Sequence, residues 1–418
     1  MTVDRPAADS APSPSAAEPV VTLAEIQAAR ARIAGRVHVS PCTASRAVSE
    51  ATGARVSFKL ENLQPMGSFK ERGACNRLLR LTPDERRRGV IAASAGNHAL
   101  GVAYHAQALG IPATIVMPAS SPLVKVTQTR ALGATVVQVD GGYDAAWATA
   151  QRLAAERNLV VVHAFDDRDV IAGQGTMGLE IFEQVPDVDA LLIAVGGGGM
   201  VAGVATALKA LRPGVRVIGV QSEAMPGMRA ALREGCPIRI EPTRTIADGI
   251  AVGLVGALPY PAVCRYVDEV VTVDDEEIAE AILTLLEREK TVAEGAGAAP
   301  LAALYHRELG LAGKNVVVVV GGGNIDVNVL SRIIDRGLMK SGRIMRTRIM
   351  LPDRPGSLAQ LLAIIADKQA NVLAIDHDRR AARLALGQTF VDVEAETRGF
   401  EHVTEIVEAL RAKGFVPA

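Results

Sequence analysis

Aromatic residues are scarce: 3% of the 418 residues, with a single Trp. Because 49% of the chain is nevertheless hydrophobic, its interior has to be built from Ala, Val, Leu and Ile. Cysteine is nearly absent, at four widely spaced residues (Cys42, Cys75, Cys236, Cys264) with no CxxC pair. That pattern suits reduced thiols in the cytoplasm better than disulfides or zinc. Excess charge is missing too. A formal net charge of −1 argues against a nucleic-acid or other polyanion binder. No apolar run reaches the ~18 residues of a membrane span, so no membrane partner is expected. None of the seven histidines has convincing metal-ligand spacing with Cys, Asp or Glu, and no metal site is expected. The N-terminus lacks the apolar core of a secretory leader, and residues 1–21, rich in Ala, Pro and Ser, read as a disordered tail.

What is present is an alternation. Helical periodicity begins at Thr22, with Ile26, Ala29 and Ile33 on one face. Strand-like runs follow at 56–60, 90–94, 113–117, 135–139, 159–163, 191–195, 216–220 and 315–320. Between most of them lie helical segments such as 98–109, 121–132, 143–157 and 200–211. Near-continuous β-branched strands separated by helices imply an α/β protein whose parallel sheets are covered on both faces. So many strands predict two sub-domains. Near residue 344 the pattern changes to strand 344–351, a helix from Ser357, strands near 371–376 and 388–394, a helix from Phe400, and a short strand at Phe415-Val416. That order, βαββαβ, predicts a small ferredoxin-like domain, with Ser341-Gly342 as its linker.

Ligands bind beyond the carboxyl ends of parallel strands, and four polar or glycine-rich motifs lie there. In the first, Ser68 and Glu71 have capping-box spacing, which starts a helix at Lys70. The positive end of the helix dipole disfavours a further cation in that first turn, and a lysine so placed is the better nucleophile. In the second, Ser94-Ala95-Gly96-Asn97-His98 joins a strand to a helix, either as a carboxylate site or as a turn capped by Ser94 or Asn97. In the third, Gly196, Gly197, Gly198 and Gly199 precede Met200 at a helix start, where backbone N–H groups can cradle phosphate. A dinucleotide fingerprint is the rival for this motif, and its spacing to Glu223 is too long. The fourth is Gly321-Gly322-Gly323-Asn324. Glu294 is the lone ionisable group in TVAEGAGAA, and a helix cap is its ordinary use. His98, in a first helical turn, reads as structural.

Together SFKERGA (68–74), SAGNH (94–98), GGGGM (196–200) and GGGN (321–324) resemble the threonine dehydratase family. These are pyridoxal-phosphate enzymes of the tryptophan-synthase-β fold type. The resemblance implies a catalytic body over 22–340, with a small sub-domain of about 63–167 inserted in the large one. Residues 345–418, with DRPGSLAQLL at 353–362, resemble an ACT regulatory domain. The resemblance further implies that Lys70 forms the Schiff base and that Asn97 bonds the pyridoxal 3′-oxygen. Ser94 and its loop, with Asn97, would hold the substrate carboxylate, and Gly196 to Met200 the phosphate. Gly321 stands where the family usually places Ser beside the pyridine nitrogen, so that nitrogen lacks a side-chain donor. Ala95 stands where the similar serine racemases carry an acid/base Ser, which disfavours racemisation. Gln221 stands where some relatives place a metal-binding Glu. The activity implied is deamination of L-threonine to 2-oxobutanoate and ammonia, with L-serine a poorer substrate. A branched-chain amino acid is the expected effector, and a homodimer or homotetramer the expected assembly. A related serine lyase or racemase, or a weakly catalytic amino-acid sensor, is the alternative.

Overall fold

The computed structural model describes residues 20–379 and 385–416. The expected tail lies outside them as far as residue 19, but Val21 is fully buried in a cluster with Ile26 and Ala29. Packing therefore begins before the first helix, Leu23–Ile33. Thr22 opens that helix: its hydroxyl accepts the Glu25 N–H, and the Glu25 carboxylate accepts the Thr22 N–H.

Ten strands of the described residues precede residue 325: β1 (Cys42–Ser45), β2 (Arg55–Leu60), β3 (Val90–Ala93), β4 (Ala113–Pro118), β5 (Thr135–Val139), β6 (Val160–Val161), β7 (Ala190–Ala194), β8 (Arg216–Ser222), β9 (Glu269–Val273) and β10 (Asn315–Val320). Six form one sheet in the order β1-β2-β10-β7-β8-β9, parallel except where β1 runs against β2. The other four form a parallel sheet, β5-β4-β3-β6, made from the chain between β2 and β7. Helices over both faces demand strands that are apolar on both sides. In β10, Val316 to Val320 are all at most 1% exposed, and burying each valine contributes about 1.5–3 kcal/mol.

The helix Arg168–Gln184 is buried from Val170 to Ile181 and packs on the helices Lys70–Leu79 and Gly199–Leu211. Gly173 permits this approach, since a Cβ there would lie 2.6 Å from the Arg72 carbonyl. At this contact Arg72, Glu61, Glu180 and Lys59, all nearly inaccessible, form one ionic cluster. It ties the Lys70 helix to β2 and to the helix Arg168–Gln184. No helix of the described residues is long and apolar enough to cross a membrane.

Two compact units divide at Ile325/Asp326. The helix Val327–Lys340 belongs to the second. In this unit β11 (Ile344–Pro352), β12 (Asn371–Asp378) and β13 (Gln388–Glu396) form an antiparallel sheet, β11-β13-β12. The helices Ser357–Asp367 and Phe400–Ala412 supply Leu361, Ile365, Ile406 and Leu410 to a core shared with Ile349, Val391 and Val393. The strand expected at Phe415-Val416 does not form. The Phe415 N–H turns back to the Leu410 carbonyl at 3.0 Å, closing the last helix, and its ring enters the core. That N–H is therefore lost to any ladder.

Candidate active site

β2, β10 and β7 are neighbours, and their carboxyl ends carry three of the four motifs to one place. Backbone bonds stitch the Lys70 loop to the turn after β10. The Phe69 N–H donates to the Gly321 carbonyl at 3.0 Å, and the Gly323 N–H donates to the Gly67 carbonyl at 2.9 Å. Ser68 pairs with Gly322 as an isolated bridge. This stitching prevents the expected capping box. The helix Lys70–Leu79 has Phe69 at its cap position with no side-chain bond, Ser68 is buried with its hydroxyl unpartnered among the described residues, and Glu71 accepts the Met66 N–H. Lys70 still occupies the first helical position.

A cavity of about 1010 Å³ opens beside it. Its wall includes Lys70, the 94–98 turn, Gly196 to Met200, Glu294 and Gly321, so every residue given a catalytic, cofactor or substrate role from sequence lines one cavity, while Gln221 does not. The Lys70 amine donates to the Ala164 carbonyl at 2.9 Å and lies 5.2 Å from the centre of the Phe69 ring. Burial lowers its pKa to about 8, with the Glu294 carboxylate opposing the shift. Desolvation, rather than the helix dipole, is the leading cause. At pH 7 about a tenth of such amines is unprotonated, against roughly one in a few thousand for an ordinary lysine.

The 94–98 turn is uncapped. The helix Asn97–Leu109 starts at Gly96 without a side-chain cap, which leaves its first N–H groups open to an anion. Ser94 Oγ accepts the Gly96 N–H at 3.2 Å, and the Asn97 amide donates to Glu294 Oε1 at 2.7 Å. His98 points away into protein: its Nε2 is 2.9 Å from the Val162 carbonyl, and burial lowers its pKa to about 3. A neutral, structural imidazole is the result.

The four glycines lie at the start of the helix Gly199–Leu211, and Gly198 has φ +100°, where a side chain would be strained. The N–H groups of Gly196, Gly197 and Gly198 find no acceptor among the described residues. Phe165, which also lines the cavity, packs against the turn: a Cβ at Gly197 would overlap its ring, and one at Gly199 would come within 2.7 Å of its carbonyl oxygen. The glycines thus let the backbone pack onto Phe165, and all four line the cavity. At Gly321 the nearest neighbours of an added Cβ are Phe69 and Met200, at 3.4 and 3.8 Å. Gln221 is occupied elsewhere, donating to the Val195 carbonyl at 3.1 Å and accepting the Arg229 N–H at 2.8 Å.

An amine of lowered pKa on one wall and unpaired N–H donors at a helix start on another fit an aldehyde carrying a phosphate. The profile described as "Pyridoxal-phosphate dependent enzyme" matches residues 33–322, and the ACT domain profile matches 345–412. This chain belongs to the pyridoxal-phosphate-dependent enzyme family. The enzyme is 50% identical over 396 residues to an L-threonine ammonia-lyase of Thermotoga maritima, covering 95% of this chain and 98% of that one. A solved T.th. threonine deaminase is 40% identical with TM-score 0.70, over 73% of this chain and 99% of its own. Maize serine racemase is 33% identical with TM-score 0.72, over 77% and 99% respectively.

Sequence reasoning undervalued two residues. Glu294 occupies a cap position but caps nothing, and its side chain enters the cavity. The signal was the run of small residues around a lone acid. Phe165 backs the glycine turn from a loop with no local motif, so nothing short of the fold identifies it. Gly199→Ala tests this backing directly. Its methyl group meets backbone, which cannot rotate away, so we expect the variant to lose bound chromophore on gel filtration and about 1–3 kcal/mol of stability.

Proposed function

We propose that this enzyme deaminates L-threonine to 2-oxobutanoate and ammonia, and L-serine to pyruvate more slowly. The full-length match to L-threonine ammonia-lyase carries this reading, and the cavity supplies its machinery. When bound, the pyridoxal group supplies the electron sink for the developing negative charge at Cα. Lys70 is the residue that would hold it covalently, and the four-glycine turn with Met200 would hold its phosphate. Asn97 would bond its 3′-oxygen, and Gly321 would offer its ring nitrogen no side-chain donor. Incoming threonine places its carboxylate on the N–H groups at the 94–98 turn, aided by Ser94. Displaced Lys70, its pKa near 8, then accepts the Cα proton at Nζ as general base. The Cβ hydroxyl leaves as water with the proton that Lys70 Nζ has taken, and tautomerisation and hydrolysis of the released enamine give the oxo acid and ammonia.

Residues 22–340 form the catalytic domain in this reading, and 345–418 the regulatory domain. The ACT domain takes an amino-acid effector, with isoleucine or valine the leading candidates, and the enzyme works in the cytoplasm as a homodimer or homotetramer. Racemisation is the second reading, motivated by the likeness to serine racemase, but Ala95 offers the cavity no proton donor. One assay separates them. Threonine should yield 2-oxobutanoate faster than serine yields pyruvate, isoleucine or valine should change the rate, and D-serine should not accumulate. D-serine as the main product would reject the lyase reading.

A further inference from the structure

Glu294 is the one buried residue among the acids that line this cavity, and the reaction above leaves it without a role. It lies at the start of the helix Gly295–His306, is 7% exposed, and directs its carboxyl toward Asn97. The surrounding backbone is shaped to admit it. Any side chain at Gly322 would overlap Oε1, and a Cβ at Gly249 would sit 3.5 Å from it. Its own N–H donates to the Gly322 carbonyl at 3.0 Å. The far end of the Asn97 amide is held as well, since Asn97 Oδ1 accepts from Asn324 Nδ2 at 2.8 Å. Asn324 is itself anchored on the Met66 carbonyl at 2.8 Å. The Asn97 amide is thus gripped at both ends, with Glu294 the one titratable member of the chain.

We propose that Glu294 is a positioning residue that acts as a neutral carboxyl, fixing the Asn97 amide toward the cofactor's 3′-oxygen, and that its ionisation loosens the site. This rests on the reading of Asn97 given above. Two anionic groups, a phosphate and a substrate carboxylate, enter the cavity. A third buried negative charge would repel both. The groups facing Glu294 are Asp248 from the short turn Asp248–Ile250, Lys125 from the helix Leu123–Ala131, Lys70, and Asn97. Burial and then Asp248 raise its pKa to about 7, against the Asn97 hydrogen bond, Lys125 and Lys70. Lys125 is itself 3.5 Å from Asp248, which offsets part of its charge. The carboxyl is therefore neutral below about pH 7 and charged above it. The KM for threonine should rise with pH through that range.

The test follows the absorbance spectrum of the cofactor-loaded enzyme, and kcat and KM, from below to above the midpoint. Glu294→Gln keeps an acceptor oxygen for Asn97 but has no proton to lose. It should keep the low-pH spectrum throughout and lose the rise in KM. Glu294→Ala should alter the spectrum and lower kcat about tenfold or more, with Gln, but not Ala, preserving the spectrum. A Glu294→Gln enzyme whose spectrum and KM titrate like the parent's overturns the inference, whether or not the alanine variant folds. Asn97→Ala separates the two levels of argument. An unchanged spectrum in that variant rejects the reading of Asn97 and this inference with it. A changed spectrum there, beside a parental spectrum in Glu294→Ala, rejects the role of Glu294 alone.

Discussion

Lys70→Ala should leave a folded protein that holds no cofactor covalently and deaminates threonine at least about a thousandfold more slowly. The fold should survive because Lys70 contributes little to it. Its amine makes a single hydrogen bond, to the Ala164 carbonyl, and burial already disfavours its charge. The chemistry should not survive. No other amine is placed in the first turn of this helix, and both the covalent bond and the Cα proton transfer are assigned to the same nitrogen. Far-UV circular dichroism, the bound chromophore and oxo-acid formation read the three consequences separately. Substantial turnover in the variant would show that another group carries the proton.

Arg72→Met should destabilise the catalytic body by about 3–5 kcal/mol, although Met fills most of the space. The guanidinium forks onto two carboxylates. Nε and Nη2 donate to Glu61 at 2.7 Å each, and Nη1 and Nη2 donate to Glu180 at 2.6 and 2.8 Å. Burial works against the Arg72 charge, but Glu61 and Glu180 outweigh it and hold its pKa above the ordinary value. With Arg72 gone, Lys59 alone faces two buried carboxylates. Burial likewise raises the Glu61 pKa, yet Arg72 and Lys59 more than reverse this and leave it below the usual value. Its contribution is therefore complete above the ordinary carboxylate range and fades as pH falls through the lowered folded value. Arg72→Met should flatten that acid dependence as well as lower the midpoint in urea. Because Arg72 is two residues from Lys70 on one helix, the cofactor should also be released at lower urea than in the parent. Equal midpoints would mean that the cluster is not what anchors this helix.

The strands that sequence periodicity reveals are those whose burial is one-sided or complete. In β13, Val391 and Val393 alternate with Asp392 and Glu394, and the structure buries the valines. In β10, five consecutive valines are all inaccessible. The helix Arg168–Gln184 escaped because it is buried all round, so Ile-Ala-Gly-Gln-Gly-Thr-Met-Gly shows no polar face for a helical period to reveal. Strands β1 and β9 escaped because they are short and only partly buried. At the site, Lys70, Asn97 and the glycines were legible because each ends or follows a strand with residues unsuited to a plain turn. The Ser68–Glu71 spacing was misleading. Tertiary bonds to Gly321 and Gly323 hold that loop in place of the local cap. Glu294 was legible as an oddity, but its direction depends on a bond to Asn97, 197 residues away in the chain.

Borohydride reduction of the loaded enzyme, followed by peptide mass mapping, tests the covalent assignment most directly. The pyridoxyl mass should appear on the peptide that contains Lys70 and on no other. Lys125 also lines the cavity and is the natural competitor. Label on Lys125, or a bound chromophore that reduction fails to fix to the chain, would contradict the account.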